Sequence, residues 1–247
     1  IKNIEHHRSH LASAFFASPF EEAAILSIDG SGDFTTTMIA TGKGNKIKVI
    51  DSVDFPVSCG LFYTAFTQFL GFPHYGDEYK VMGLAPYGDP RYTDKVKKVL
   101  KFLPNGLYSW HNEYFVQPTK AGFKYENNVP SVGNLYSKKF EEEFGTPRMP
   151  KEELSQYHKD LAASVQKVTE ELIFYILKHL KKVTGAKNVC IAGGVAQNSV
   201  ANGKVAAATG FEGVYIPSAG HDAGISMGSA LYFYNHVLNQ PRAAPVY

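Results

Sequence analysis

Cysteine is nearly absent from this 247-residue chain: only Cys59 and Cys190 occur, far apart and with no paired spacing. That excludes a disulfide framework and a zinc knuckle, and it points to a reducing, cytoplasmic compartment. Long apolar runs are missing too. No stretch of about 18 apolar residues occurs, so no membrane partner is expected, and the start lacks the charged-then-apolar pattern of a signal peptide. Strong charge of one sign is also lacking. The net charge is +2 with no long basic block, which removes the electrostatic footprint of a nucleic-acid partner. Lys95, Lys97 and Lys98 read as the solvated part of a short helix. The GxxxxGK(S/T), HExxH, GxSxG and CxxC motifs are absent, so P-loop, zincin, α/β-hydrolase and thioredoxin chemistries lose support. What remains is ordinary globular composition, 44% hydrophobic and 19% charged, on a chain long enough for a substantial core.

One stretch organises the rest: HHRSHLASAFFASPFEEAAILSIDGSGD, from His6 to Asp33. If its first half is helical, His6 and His10 project from one face one turn apart, which is metal-ligand spacing. An H-x3-H pair also fits two surface or capping histidines. The second half is the β-prone run AAILSI, ending in the acidic, glycine-rich turn Asp29-Gly30-Ser31-Gly32-Asp33. Such a turn lets backbone N–H groups approach an anion while its carboxylates hold a cation. The chain opens at Ile1 rather than Met and enters this site-like helix at once, so it reads as part of a longer protein.

In chain order, the pattern predicts a helix over about 4–18 with Leu11, Ala14 and Phe15 as its apolar stripe and Pro19 closing it. Three strands follow, at 23–29, 34–41 and 46–53, as an antiparallel meander turning at Gly42–Asn45. An aromatic-rich helix lies between Phe55 and Gly71, and HYGDEYKVMGLAPYGD after it reads as a functional loop. Residues 90–150 form an irregular insertion, with short helices near 93–102 and 134–144 and a hairpin around Asn112. A long amphipathic helix runs from about 155 to Gly185, carrying Leu161, Val165, Val168, Leu172, Ile176 and Leu180 at spacings of three or four. Then come a strand at 188–192, a helix at 197–208, a strand at 213–216 and a final helix at 222–239. This βββαβαβα order implies an α/β fold, a mixed sheet with helices on its faces.

Asp29 sits at a strand end beside a glycine turn, where functional carboxylates of such sheets gather. Asp222 occupies the analogous strand–turn–helix position and equally fits the N-cap of the final helix. Two imidazoles and two carboxylates make an N/O donor set suited to Fe(II), Mn(II) or Zn(II), with open positions for substrate oxygens. In IAGGVAQN, a strand passing through Gly193-Gly194 into a helix aims N–H groups and the helix dipole at an anion, or is simply a tight turn. PSAGHDAG at 217–224 repeats that geometry one strand later.

Taken together, His6-x3-His10, SIDGSGD (27–33), FPVSCGLFYTAFTQFLGF (55–72), EYKVMGLAPYG (78–88), AGGVAQN (192–198) and HDAG (221–224) resemble the O-carbamoyltransferases that act on nodulation factors and antibiotics. The resemblance is to that family's domain akin to the universal tRNA threonylcarbamoyl-transfer protein. It implies the actin/sugar-kinase/Hsp70 fold, two ribonuclease-H-like lobes around a nucleotide cleft, of which the βββαβαβα series is one. Residues 1–22 would then be a metal-ligand helix left from the preceding lobe, and 23–247 a ribonuclease-H-like lobe with its insertion at about 90–150. The preceding lobe and a C-terminal adenylate-forming domain would be missing partners, and a homodimer is left open.

By the same resemblance, His6, His10, Asp29 and Asp222 are the metal ligands. Ser31, Gly60, Gly193, Gly194 and Asn198 contact carbamoyl-adenylate, made from carbamoyl phosphate and ATP, while Lys80 neutralises phosphate charge. The implied reaction is carbamoyl transfer to a hydroxyl of a small-molecule acceptor, which Asp29 or Asp33 positions. A Lewis acid at the carbonyl or phosphate oxygen of such a mixed anhydride stabilises the charge that develops on attack. Two other readings keep the segments: tRNA threonylcarbamoylation or a sugar-kinase-like ATPase, and a non-catalytic metal- and nucleotide-binding interaction module.

Overall fold

The computed structural model describes residues 1–126 and 129–242. Residues 127–128 of the expected insertion and 243–247 of the expected lobe lie outside the described residues. In chain order the elements are α1 (His6–Phe15), β1 (Glu22–Gly32), β2 (Thr35–Lys43), β3 (Lys46–Asp54), α2 (Cys59–Phe69), α3 (Glu78–Leu84) and α4 (Thr93–Lys97). There follow β4 (Leu100–Phe102), β5 (Tyr108–Trp110), α5 (Pro118–Ala121), β6 (Phe123–Glu126), β7 (Val129–Val132), α6 (Lys138–Phe144) and α7 (Gln156–Thr184). The chain then forms β8 (Asn188–Ala192), α8 (Ser199–Asn202), α9 (Val205–Thr209), β9 (Gly213–Tyr215) and α10 (Ile225–Leu231).

A five-stranded mixed sheet in the order β3-β2-β1-β8-β9 carries the site. The meander β1–β2–β3 is antiparallel, while β8 joins β1 and β9 joins β8 in parallel. Strand β1 is buried without interruption from Ala23 to Asp29, as a central strand covered on both faces must be. The edge strand β3 turns Ile47 and Val53 inward and leaves Lys46 and Lys48 exposed, and such charges discourage edge pairing. The meander's second turn, between β2 and β3, carries Gly44 at φ +54°.

Contacts divide the chain into two compact units. One comprises Ile1–Gly60, Pro104–Leu107 and Ile173–Tyr247, and the other Leu61–Leu103 and Tyr108–Leu172. In the first, Leu11, Ala14 and Phe15 of α1 share a core with Ile25, Met38, Ala40, Cys190, Ala192 and Tyr232. The approach of α1 to α10 is so close that a Cβ on Gly228 would fall 2.0 Å from the Ser9 carbonyl oxygen. In the second, Phe66 packs on Phe140 and Phe144, with ring centroids 4.6 and 5.0 Å apart. There the buried Arg148 donates from Nε to the Leu70 carbonyl, 2.6 Å away, and lies over the Phe72 ring.

Four local expectations change. The stretch read as a loop after Gly71 contains α3; at seven residues, with Gly83 inside, it is too short to show a helical period. The hairpin is β4–β5, and Asn112 instead begins a single 3₁₀ turn. The helix expected over 197–208 is broken into a 3₁₀ turn at Gly194–Gln197, then α8 and α9, with Gly203 between the last two. The final helix opens as a 3₁₀ turn at Asp222–Gly224 and continues past α10 as a π-helical turn at Tyr232–Val237. Among the described residues no helix is long and apolar enough to cross a membrane.

Candidate metal centre

The two histidines, one turn apart on α1, bring their Nε2 atoms within 3.0 Å of each other. Asp29 meets them because the β1–β2 ladder is interrupted: pairing jumps from Ile28↔Thr37 to Gly32↔Thr35, and pairing with β8 stops at Ser27↔Ala192. The residues between are released at the carboxyl end of β1, and Asp29 Oδ2 lies 2.9 Å from His10 Nε2 and 3.4 Å from His6 Nε2. Asp222 arrives on the turn that follows β9, its Oδ1 lying 3.4 Å from His6 Nε2 and 3.5 Å from His10 Nε2. One donor atom from each of the four residues falls within 4.8 Å of all the others. Asp222 is not the helix N-cap: that position belongs to His221, whose Nδ1 accepts from the Ala223 N–H at 3.3 Å.

Electrostatics ties the group together. Burial alone works against charge on His10, but hydrogen bonds to Asp222 and Asp29 outweigh it and raise its pKa to about 9. Burial likewise resists ionisation of Asp29, and the hydrogen bonds from His10 and His6 overcome it, holding the carboxyl well below the usual carboxylate range. A proton held by His10 is thus set beside the two carboxylates in a small volume. Each donor offers a lone pair to that volume once a cation displaces the protons, so the set fits a divalent cation of hard-to-borderline character. The buried His10 Nδ1 has no hydrogen-bond partner among the described residues, leaving Nε2 as the ring atom committed to the cluster.

Glycines make the crowding possible. A Cβ on Gly32 would fall 2.0 Å from His6 Cδ2, and one on Gly194 would fall 2.8 Å from Asp29 Oδ1. Gly193 is at φ +101°, where a Cβ would meet the Ile28 carbonyl oxygen at 2.1 Å, and a Cβ on Gly60 would fall 2.7 Å from the Gly30 backbone. The Ser58 hydroxyl lies 3.0 Å and 2.6 Å from the carbonyl oxygens of Asp29 and Gly30.

The remaining expected site residues are spread differently. Asp33, at φ +53°, accepts the His6 backbone N–H at 2.9 Å and so fixes the start of α1. Ser31 is exposed at the tip of the same turn. Asn198 caps α8, its side chain accepting from the Ala201 N–H at 3.0 Å. Lys80 belongs to the second unit, where its ammonium pairs with Asp77 at 2.7 Å.

Sequence reasoning missed His7, which is fully buried between Ser27 and Thr35, with burial the main cause of a pKa lowered to about 4. It also gave no role to Ser58, and it read Gly32 only as part of the glycine-rich turn. The only advance signal for His7 was a third histidine inside a run already singled out.

The family model described as "Carbamoyltransferase N-terminus" matches residues 1–231. An uncharacterized protein of Synechocystis is 40% identical over 96% of this chain and 37% of its own length. The nodulation protein NolNO of Sinorhizobium fredii is 36% identical over 96% of this chain and 32% of its own. The nodulation protein NolO of Bradyrhizobium diazoefficiens is 36% identical over 92% of this chain and 38% of its own. The chain therefore spans about a third of the length of the curated relatives it matches.

Proposed function

We propose, on the premise that this chain belongs to the carbamoyltransferase N-terminal family, that it forms part of an enzyme transferring a carbamoyl group from carbamoyl-adenylate to a hydroxyl of a small-molecule acceptor. The adenylate would arise from carbamoyl phosphate and ATP, with the chemistry of its formation outside these residues. The observation that carries the reading is the convergence of His6, His10, Asp29 and Asp222 within 4.8 Å at the carboxyl end of the sheet. The sheet order, an antiparallel meander extended by two parallel strands, supports assigning it as one ribonuclease-H-like lobe of the actin/sugar-kinase/Hsp70 superfamily.

A divalent cation held by these four residues, Fe(II), Zn(II) or Mn(II), would supply Lewis-acid stabilisation of negative charge on a carbonyl or phosphate oxygen. The chain's own residues do the rest. Gly193 packs on the Ile28 backbone and Gly194 on the Asp29 carboxylate with no room for a Cβ, and we assign their backbone N–H groups to a phosphate. Gly60 packs on the Gly30 backbone in the same way, and we assign it, with Ser31 and Asn198, to the same nucleotide site. The acceptor oxygen attacks the carbamoyl carbon, the bond from that carbon to the phosphate oxygen breaks, and AMP leaves as the hydroxyl gives up its proton. Of the two carboxylates assigned to orient that hydroxyl, Asp29 is engaged by both imidazoles, whereas Asp33 is exposed beside His6. Asp33 is therefore the one with room for an acceptor.

The test is mass analysis of products after a full-length protein containing this chain is incubated with carbamoyl phosphate, ATP and a panel of hydroxyl acceptors. A carbamoylated product that disappears in the Asp29→Asn variant is expected. Absence of both adenylate and carbamoylated product with Fe(II), Zn(II) and Mn(II) alike overturns the proposal.

A further inference from the structure

The geometry points to His7 as a positioning residue for the candidate metal centre, holding the ligand-bearing turn of α1 against the break between β1 and β2. This inference rests on reading His6, His10, Asp29 and Asp222 as metal ligands. His7 is not itself a ligand, because both of its ring nitrogens are already committed. Its Nε2 lies 2.9 Å from the Thr35 carbonyl oxygen and its Nδ1 lies 2.7 Å from the Ser27 hydroxyl. A carbonyl can only accept, so Nε2 carries the hydrogen; Nδ1 then accepts from the Ser27 O–H. The ring is fully buried, so these bonds face no competition from water.

What these two bonds connect gives them their role. Ser27 lies on β1 before the interruption in the β1–β2 ladder, and Thr35 lies on β2 beyond it. Between them the backbone of 29–31 has no ladder partner to define it, yet Asp29 must present Oδ2 to two imidazoles. His7 spans that gap from the helix side. It is flanked in sequence by His6, and its ring centroid lies 5.4 Å from that of His6 and 5.9 Å from that of His10. The first turn of a helix lacks its own hydrogen-bond partners and frays readily. Here it is held by Glu5 on the His7 N–H, by Asp33 on the His6 N–H and by the His7 ring. Of these three, only the ring reaches both strands.

The test uses the 247-residue chain titrated with Co(II) alone, following the visible absorption of the bound ion. Variants His7→Leu, His7→Gln and Ser27→Ala are compared with the unsubstituted chain, with His10→Ala, and with Leu172→Ala as a destabilised comparator remote in sequence. His7→Leu is expected to weaken Co(II) binding about 10- to 100-fold, the range typical for losing a residue that orients metal ligands, and to shift the absorption bands. Ser27→Ala should act in the same direction by a smaller factor. His7→Gln, which keeps an N–H for Thr35, should recover part of the loss. Leu172→Ala should lower the melting temperature without moving the bands. If His7→Leu does not fold, Ser27→Ala decides.

Co(II) binding that depends on His10 but has unchanged affinity and absorption in Ser27→Ala and in folded His7→Leu overturns the role given to His7 alone. Binding that does not depend on His10, or no binding by the unsubstituted chain, overturns the metal reading and this inference with it.

Discussion

Helices α1 and α7 both bury polar residues, and they satisfy them differently. In the 29-residue α7, buried Ser164 and Thr169 turn their hydroxyls back onto the carbonyls of Asp160 and Val165 in their own helix. Ser164 and Gln166 also accept from the Tyr92 N–H and the Tyr63 hydroxyl, but the helix is defined by its apolar stripe. In the ten-residue α1, eight residues are buried, His7 and His10 among them, and these imidazoles reach partners 19 to 28 residues away. Burying a polar ring is unfavourable without a hydrogen bond. A helix whose buried rings find partners on distant strands and turns is therefore held in place by the site as much as by its core.

That contrast can be broken most sharply at Asp29. The Asp29→Asn variant removes the charge both imidazoles meet and should lose stoichiometric metal, measured by elemental analysis after gel filtration. Retention of one bound ion per chain would make α1 no different from α7.

Next in size, Leu172→Ala in α7 should cost about 2–5 kcal/mol of stability, as deletion of a fully buried side chain does. Chemical denaturation measures it, and metal content per folded chain should stay the same. A third substitution, Gly32→Ala, puts a methyl against the His6 ring. It should weaken metal binding by roughly 10- to 100-fold while leaving the far-ultraviolet dichroism unchanged.

The most gradual effect is on pH. In the metal-free protein His10 keeps its proton up to about pH 9, so a cation must displace it at lower pH. Metal affinity should therefore rise by up to about tenfold per pH unit below that point and level off above it. Titrations between pH 6.5 and 10 would sharpen the comparison, since no such dependence should attend the stability that α7 contributes through Leu172.

The same contrast explains what the sequence made legible. The meander and α7 are written in short-range signals: apolar and β-branched runs in β1–β3, and apolar residues three or four apart from Leu161 to Leu180. His6 and His10 were legible because their spacing is local to one helix. The closeness of Asp29 and Asp222 to them followed from family resemblance and topology, because no local pattern links residues almost 200 positions apart. His7 escaped notice because its value lies in Ser27 and Thr35, whose positions depend on where a strand ladder breaks. The pieces of the expected 197–208 helix were equally hidden, since nothing in SVANGKVAAAT marks a stop except Gly203. The loss matters chemically: α8 has only four residues, so no long helix dipole stands behind the Gly193-Gly194 turn.

The central claim, that His6, His10, Asp29 and Asp222 act together as a metal centre, is tested most directly by measuring the metal content of the purified chain beside its His10→Ala variant. The account predicts one divalent ion per unsubstituted chain and none in the variant, with both proteins folded. Equal metal in the two would contradict it and return His6 and His10 to the status of hydrogen-bonded histidines.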